Sequence, residues 1–139
     1  MKGGSQLIIV ALVVTGLFTW FAQTIPQTAW EAPKKKVLTA DMTPRQLAEA
    51  GKDIYKSAGC GVCHSVTGEK LRGPDLSRIG AEREADTMAT FLYYGTGVMP
   101  PANKPPANLT NEEITAVIAY LESLGGRPKV KIGDIKAPE

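Results

Sequence analysis

From Leu7 to Ala22 the chain reads LIIVALVVTGLFTWFA, without a charge. A run of about 16 apolar residues, extended through Thr24 and Ile25 toward the roughly 20 that a bilayer span needs, predicts one N-terminal hydrophobic helix. Between Ile25 and Asp41 the pattern changes to Pro26, Pro33, the run Lys34-Lys35-Lys36 and no helical apolar period, which predicts a linker. Beyond it, apolar residues return at helical spacing three times. Thr43-Pro44 supplies an N-cap and a first-turn proline, Leu47, Ala48, Gly51, Ile54 and Tyr55 share one face, and Gly59 is a stop. A second helix is expected from about Asp86 to Tyr94, with Met88, Phe91 and Leu92 inward and Gly95 as its end. A third opens on a Thr110/Glu113 capping box, carries the stripe Ile114, Val117, Ile118, Leu121 and Leu124, and stops at Gly125-Gly126.

The connections are rich in glycine and proline: GEKLRGPDLSRIGAE and GTGVMPPANKPPANL. No segment alternates as a strand should, apart from a short extended piece expected at Val130 to Ile132, and no internal repeat is visible. The expected fold is all-α: a head of three to four helices with long loops, plus one N-terminal transmembrane helix. The expected division is 1–25 anchor, 26–42 linker, 43–126 head and 127–139 tail.

Composition narrows the function. The chain has 139 residues, enough for one small domain besides the apolar segment. Its formal net charge is +2 and, outside Lys34 to Lys36, its basic residues are scattered, which argues against a nucleic-acid partner. Long loops in so small a head call for something else to organise them, and a large ligand does that.

The N-terminal run has two readings, a cleavable signal peptide and a retained membrane anchor. Cleavage sites are poor: a cut after Ala22 sets Trp20 at the minus-three position, a cut after Ala29 sets Gln27 there, and a cut after Ala32 is followed by Pro33. Trp20, Phe21 and Trp30 suit a membrane interface, and an anchor is the expectation. Lys2 favours a cytoplasmic N-terminus, while Lys34 to Lys36 on the other flank oppose it.

Both cysteines and the single histidine of the chain fall within CGVCH, Cys60 to His64. A thioredoxin-like pair needs a βαβ unit, for which no strands are expected. A structural zinc site needs four ligands, and three donors are present. A plain disulfide leaves His64 without a role. Covalent haem accounts for all three residues, because C-x-x-C-H is its attachment signature: two thioethers clamp the macrocycle and the adjacent imidazole reaches the iron. Such a histidine needs an acceptor for its other nitrogen, and the Pro74 carbonyl in RGPDL is free for it. The sixth ligand is then a methionine. Met99 lies in a proline-stiffened loop, GTGVMPP; Met88 faces the core of the second helix, Met42 precedes the attachment site and Met1 lies at the far end of the anchor.

From about Ala48 to Leu124 the chain resembles a class I monohaem c-type cytochrome. GKDIYKSAGCGVCH resembles that family's first helix and attachment site, and RGPDL the loop that orients the proximal histidine. IGAEREADTMATFLYYGTGVMPP resembles the middle helix with the distal methionine, and LTNEEITAVIAYLESL the last helix. The resemblance implies one covalent haem c bound by Cys60, Cys63, His64, Pro74 and Met99, with His64 and Met99 on the iron. It also implies a crossing of the first and last helices at Gly51, Tyr55 and Tyr120. A tryptophan near a propionate, present in some relatives, is missing; Arg72, Arg78, Arg83, Tyr93 and Tyr94 are the substitutes considered.

Family members receive haem outside the cytoplasm, which implies a single-pass protein with its head on the periplasmic side. The implied function is one-electron transfer in a respiratory or photosynthetic chain, with the membrane, other subunits of a redox complex or a soluble electron carrier as partners. The layout also resembles the small monohaem subunit of bacterial alternative complex III. Two other classes stay in view: a haem enzyme with an open iron site acting on peroxide or a small sulfur compound, and a disulfide module.

Overall fold

The computed structural model describes residues 2–24 and 37–137. The expectations for Trp30, Lys34 to Lys36 and most of the linker lie outside those residues. The chain divides into two units, 1–34 and 35–139.

The described part of the first unit is one helix, α1 (Lys2–Thr24). Its stretch Gly3–Thr24 is long and apolar enough to cross a membrane: 22 residues rise about 33 Å, against a hydrocarbon core of about 30 Å. Two threonine hydroxyls inside it are satisfied locally. Thr15 donates to the Ala11 carbonyl and Thr19 to that of Thr15, both at 2.8 Å, so neither hydroxyl depends on water.

The second unit is helical throughout, with no strand among the described residues: α2 (Pro44–Ser57), a 3-10 turn (Cys60–Val62), α3 (Ile79–Glu82), α4 (Ala85–Tyr94) and α5 (Asn111–Ser123). The expected all-α head is what forms. Thr43 caps α2 in a capping box with Gln46, and Thr110 caps α5 in one with Glu113. Leu47, Ala48, Ala50, Gly51 and Tyr55 are the buried face of α2.

α5 is the axis of the head. The sequence predicts a one-sided stripe, but every residue from Ile114 to Glu122 is buried, because α2, α3, α4 and the tail surround it. α2 crosses it at Gly51, where a Cβ would lie 1.8 Å from the Ala116 oxygen. Next to that contact Tyr55 and Tyr120 meet edge to face, ring centroids 5.4 Å apart. The expected crossing at Gly51, Tyr55 and Tyr120 is present.

Other features depart from expectation as well. Phe91 does not point inward; it is 43% exposed, because the buried face of α4 is Met88, Ala89, Leu92 and Tyr93, one position round the helix. The one-turn α3 lies inside a segment expected to be loop, and it is held by Gly80 N–H donating to the Leu124 carbonyl at 2.9 Å. The tail forms no strand at Val130 to Ile132, yet it is ordered: Val130 and Ile135 lie in the same core as α5. Leu38 and Met42, from the end of the expected linker, also pack on that core.

Candidate haem site

Ala58 caps the end of α2, and Gly59, in the left-handed region at φ 77°, turns the chain into the site. The Cys60 carbonyl then accepts from both Cys63 N–H (3.2 Å) and His64 N–H (3.0 Å). One carbonyl thus gathers the two thiols and the imidazole onto a single tight turn. Both thiols are free and partly buried, and burial pushes the Cys60 thiol pKa up.

The RGPDL loop is bonded to this turn along its length. Gly73 N–H donates to the Cys63 carbonyl and Leu76 N–H to the Ser65 carbonyl, both at 2.7 Å. Between those two bonds His64 Nδ1 stands 2.9 Å from the Pro74 oxygen. A carbonyl only accepts, so Nδ1 carries the proton and Nε2 is left as the lone-pair donor. At Gly73 a Cβ would come within 2.6 Å of His64 Cε1, so the ring needs glycine beside it. Sequence reasoning did not find that need, nor the bond from the Tyr55 hydroxyl to the His64 carbonyl at 3.0 Å. Both depend on which loops meet. Burial, with Cys60 adding, pushes the Tyr55 phenol pKa well up and keeps it a donor.

The loop itself is ordered by polar side chains. Ser65 Oγ accepts from Thr67 N–H (3.1 Å) and Glu69 N–H (3.0 Å). Asp75 accepts from Gly68 N–H (3.1 Å) and Ser77 N–H (3.3 Å), and from the Ser77 hydroxyl.

Met99 comes from a different element, the loop after α4. Thr96 N–H donates to the Met99 carbonyl (2.9 Å), and Met99 N–H donates to Thr96 Oγ1 (3.3 Å). Its side chain is partly buried against the core, while Val98 beside it is 99% exposed. Met88 is 4% exposed, inside the core. Of the residues considered for the propionates, Tyr93 has its hydroxyl bonded to Asn111 Oδ1, and Tyr94 remains exposed.

These residues fit covalent haem. Two free thiols and a histidine of fixed tautomer share one turn. Among the described residues no three His, Cys, Asp or Glu groups gather into a metal-holding cluster. Leu71, Phe91, Tyr94 and Val98, from the segments flanking the site, present apolar surface.

The cytochrome c family model matches residues 48–125. The chain belongs to the cytochrome c family. Its domain carries covalently bound haem c. The chain is 37% identical over 84 residues to a cytochrome c-551 of Stutzerimonas stutzeri, covering 56% of this chain and 80% of that one. It is 35% identical over 81 residues to a cytochrome c-551 of Ectopseudomonas mendocina, covering 54% of this chain and 98% of that one. It is 31% identical over 106 residues to the cytochrome bc1 complex cytochrome c subunit of Corynebacterium diphtheriae, covering 70% of this chain and 35% of that longer protein.

Proposed function

We propose that this cytochrome c is a membrane-anchored, monohaem, one-electron carrier that works as a haem subunit of a quinol-oxidising complex. The observation that carries the redox part is the CGVCH turn with His64 Nδ1 tied to Pro74. Haem bound there supplies a one-electron iron couple. Cys60 and Cys63 would hold it by thioethers, and His64 Nε2 and the Met99 thioether would be the groups offered to its iron. Pro74 fixes the His64 ring and keeps its Nε2 lone pair available. Methionine with histidine raises the reduction potential, which suits the oxidising end of a respiratory or photosynthetic chain.

Two observations support the membrane part. α1 is long and apolar enough for a single span, and one relative is named as a subunit of a cytochrome bc1 complex. In this assignment residues 1–25 anchor, 26–42 tether, 43–126 form the redox head and 127–139 the tail, with the head on the periplasmic side. An alternative complex III-like assembly is our assignment among quinol-oxidising complexes, on the layout of anchor and head; a soluble carrier is the alternative partner. The experiment is purification from the native membrane in mild detergent. Expected are a haem-staining band whose intact mass includes Leu7 to Ala22 and stoichiometric partner subunits. A mature N-terminus near Gln23 or Trp30 with no lipid attached overturns the anchor, and isolation of the haem protein alone overturns the subunit assignment.

A further inference from the structure

The family match ends at residue 125, but the packed head continues. The tail places Val130 and Ile135 in the core, and polar bonds fasten it at both ends of α5. Near the C-terminal end, the buried Glu122 carboxylate accepts from Lys129 N–H (2.7 Å) and Val130 N–H (3.1 Å). At the N-terminal end, Asn111 Nδ2 donates to the Ile135 carbonyl at 3.1 Å.

Asn111 uses its other end as well. Its Oδ1 accepts from the hydroxyl of Tyr93, which is buried in the last turn of α4. Desolvation, with the Glu112 charge adding, pushes the Tyr93 pKa up, so the phenol stays a donor. One amide side chain therefore ties α4 to the tail. α4 has need of such a tie, since its own interface with α5 is much smaller than that of α2.

α4 in turn carries the Met99 loop. The Leu92 carbonyl accepts from Ala102 N–H at 2.7 Å. Gly95 lies so close under the loop that a Cβ there would be 2.3 Å from the Met99 oxygen. Thr96 and Met99 bond to each other in both directions. A shift of α4 therefore moves the backbone on which Met99 sits.

We propose that the C-terminal tail is a clasp for the Met99 loop: the bonds Tyr93–Asn111–Ile135 hold α4 to α5, and with α4 the segment that carries Met99. The clasp's redox consequence rests on Met99 being an iron ligand, as proposed above. Tyr93 and Asn111 are positioning residues, and they act through the loop. The CGVCH turn and the α2–α5 crossing do not use these bonds. Loosening the clasp therefore releases Met99 before the head unfolds.

The test uses full-length holoprotein as parent, Tyr93→Phe, a truncation after Arg127 and Met99→Ala. Two signals are followed: the Met–Fe(III) charge-transfer band on heating, beside the far-ultraviolet helix signal, and hydrogen exchange at the Ala102 amide. In Tyr93→Phe and in the truncation, the band is expected to vanish well below the helix transition, and Ala102 exchange to accelerate by about tenfold, the size of one lost hydrogen bond. Band and helix signals that shift together, or an Ala102 amide that does not change, overturn the clasp. Tyr93→Phe keeps the ring volume and decides the matter if the truncation fails to fold. If the parent shows no band that Met99→Ala removes, the ligand assignment is what fails, and Ala102 exchange alone then decides the clasp.

Discussion

Gly51 rests directly on the backbone of Ala116: a Cβ at residue 51 would lie 1.8 Å from the Ala116 oxygen and 2.4 Å from its carbonyl carbon. No side-chain rotation relieves such a contact, because both partners are main chain. It brings the backbones of α2 and α5 into direct contact, and the edge-to-face pair Tyr55–Tyr120 packs beside it. Tyr55 also bonds the His64 carbonyl. The crossing is thereby joined to the site turn.

Gly51→Ala should therefore destabilise the protein, although alanine is the better helix former by about 1 kcal/mol. Forcing the helices apart costs more than that gain, and a net loss of about 2 kcal/mol is expected. Urea denaturation of the holoprotein followed by circular dichroism measures it. An unchanged or raised midpoint would show that the helices do not approach so closely.

Much of this was legible in the sequence because it was local. Thr43-Pro44 and the Thr110/Glu113 box marked helix starts by side chains a turn away from the groups they cap. CGVCH placed two attachment thiols and one ligating imidazole on one turn by spacing alone. What was illegible depends on distant neighbours. α3 has too few residues to show a period, and its Gly80 bonds to Leu124, more than forty positions on. Phe91 and Tyr93 look equally apolar in sequence; which of them is buried depends on how α4 rotates against α5. Nothing marked the tail as core, since Val130, Ile132 and Ile135 among lysines set no helical period. Nothing in the sequence singles out Glu122, whose carboxylate takes two amide donors from a segment seven and eight positions on.

Glu122→Gln should loosen the tail. A neutral amide accepts from Lys129 and Val130 more weakly than a carboxylate does, and a loss of about 1–2 kcal/mol is expected. Hydrogen exchange at the Lys129 and Val130 amides should accelerate, while the His64–Pro74 loop stays protected. Equal acceleration in both places would mean that Glu122 supports the whole head and not the tail.

The loop that carries Pro74 should be acid-sensitive. The Ser77 hydroxyl is the largest influence and, with the Gly68, Ser77 and Leu76 amides adding, holds the Asp75 carboxyl below its ordinary value against desolvation, which is the second-largest effect. A depressed pKa means that the contribution is complete above the usual carboxylate range. It is lost as pH falls through the lower folded value. In holoprotein, protection of the Gly68 amide, measured against its intrinsic exchange rate at each pH, should fall as pH drops below the ordinary carboxylate value of about 4, and Asp75→Asn should remove that pH dependence. An acid limb that persists in Asp75→Asn would assign it to another carboxylate.

The central claim, a single haem held between His64 and Met99 for electron transfer, is tested most directly by the oxidised absorption spectrum of purified holoprotein. Met99→Ala should abolish the Met–Fe(III) charge-transfer band, lower the reduction potential and open the iron to carbon monoxide. Met88→Leu, a volume-conserving change in the core, should leave band and potential intact and cost less than about 1.5 kcal/mol of stability. A band that survives Met99→Ala and disappears in Met88→Leu, or a parent protein that has no such band and binds carbon monoxide readily, would contradict the account.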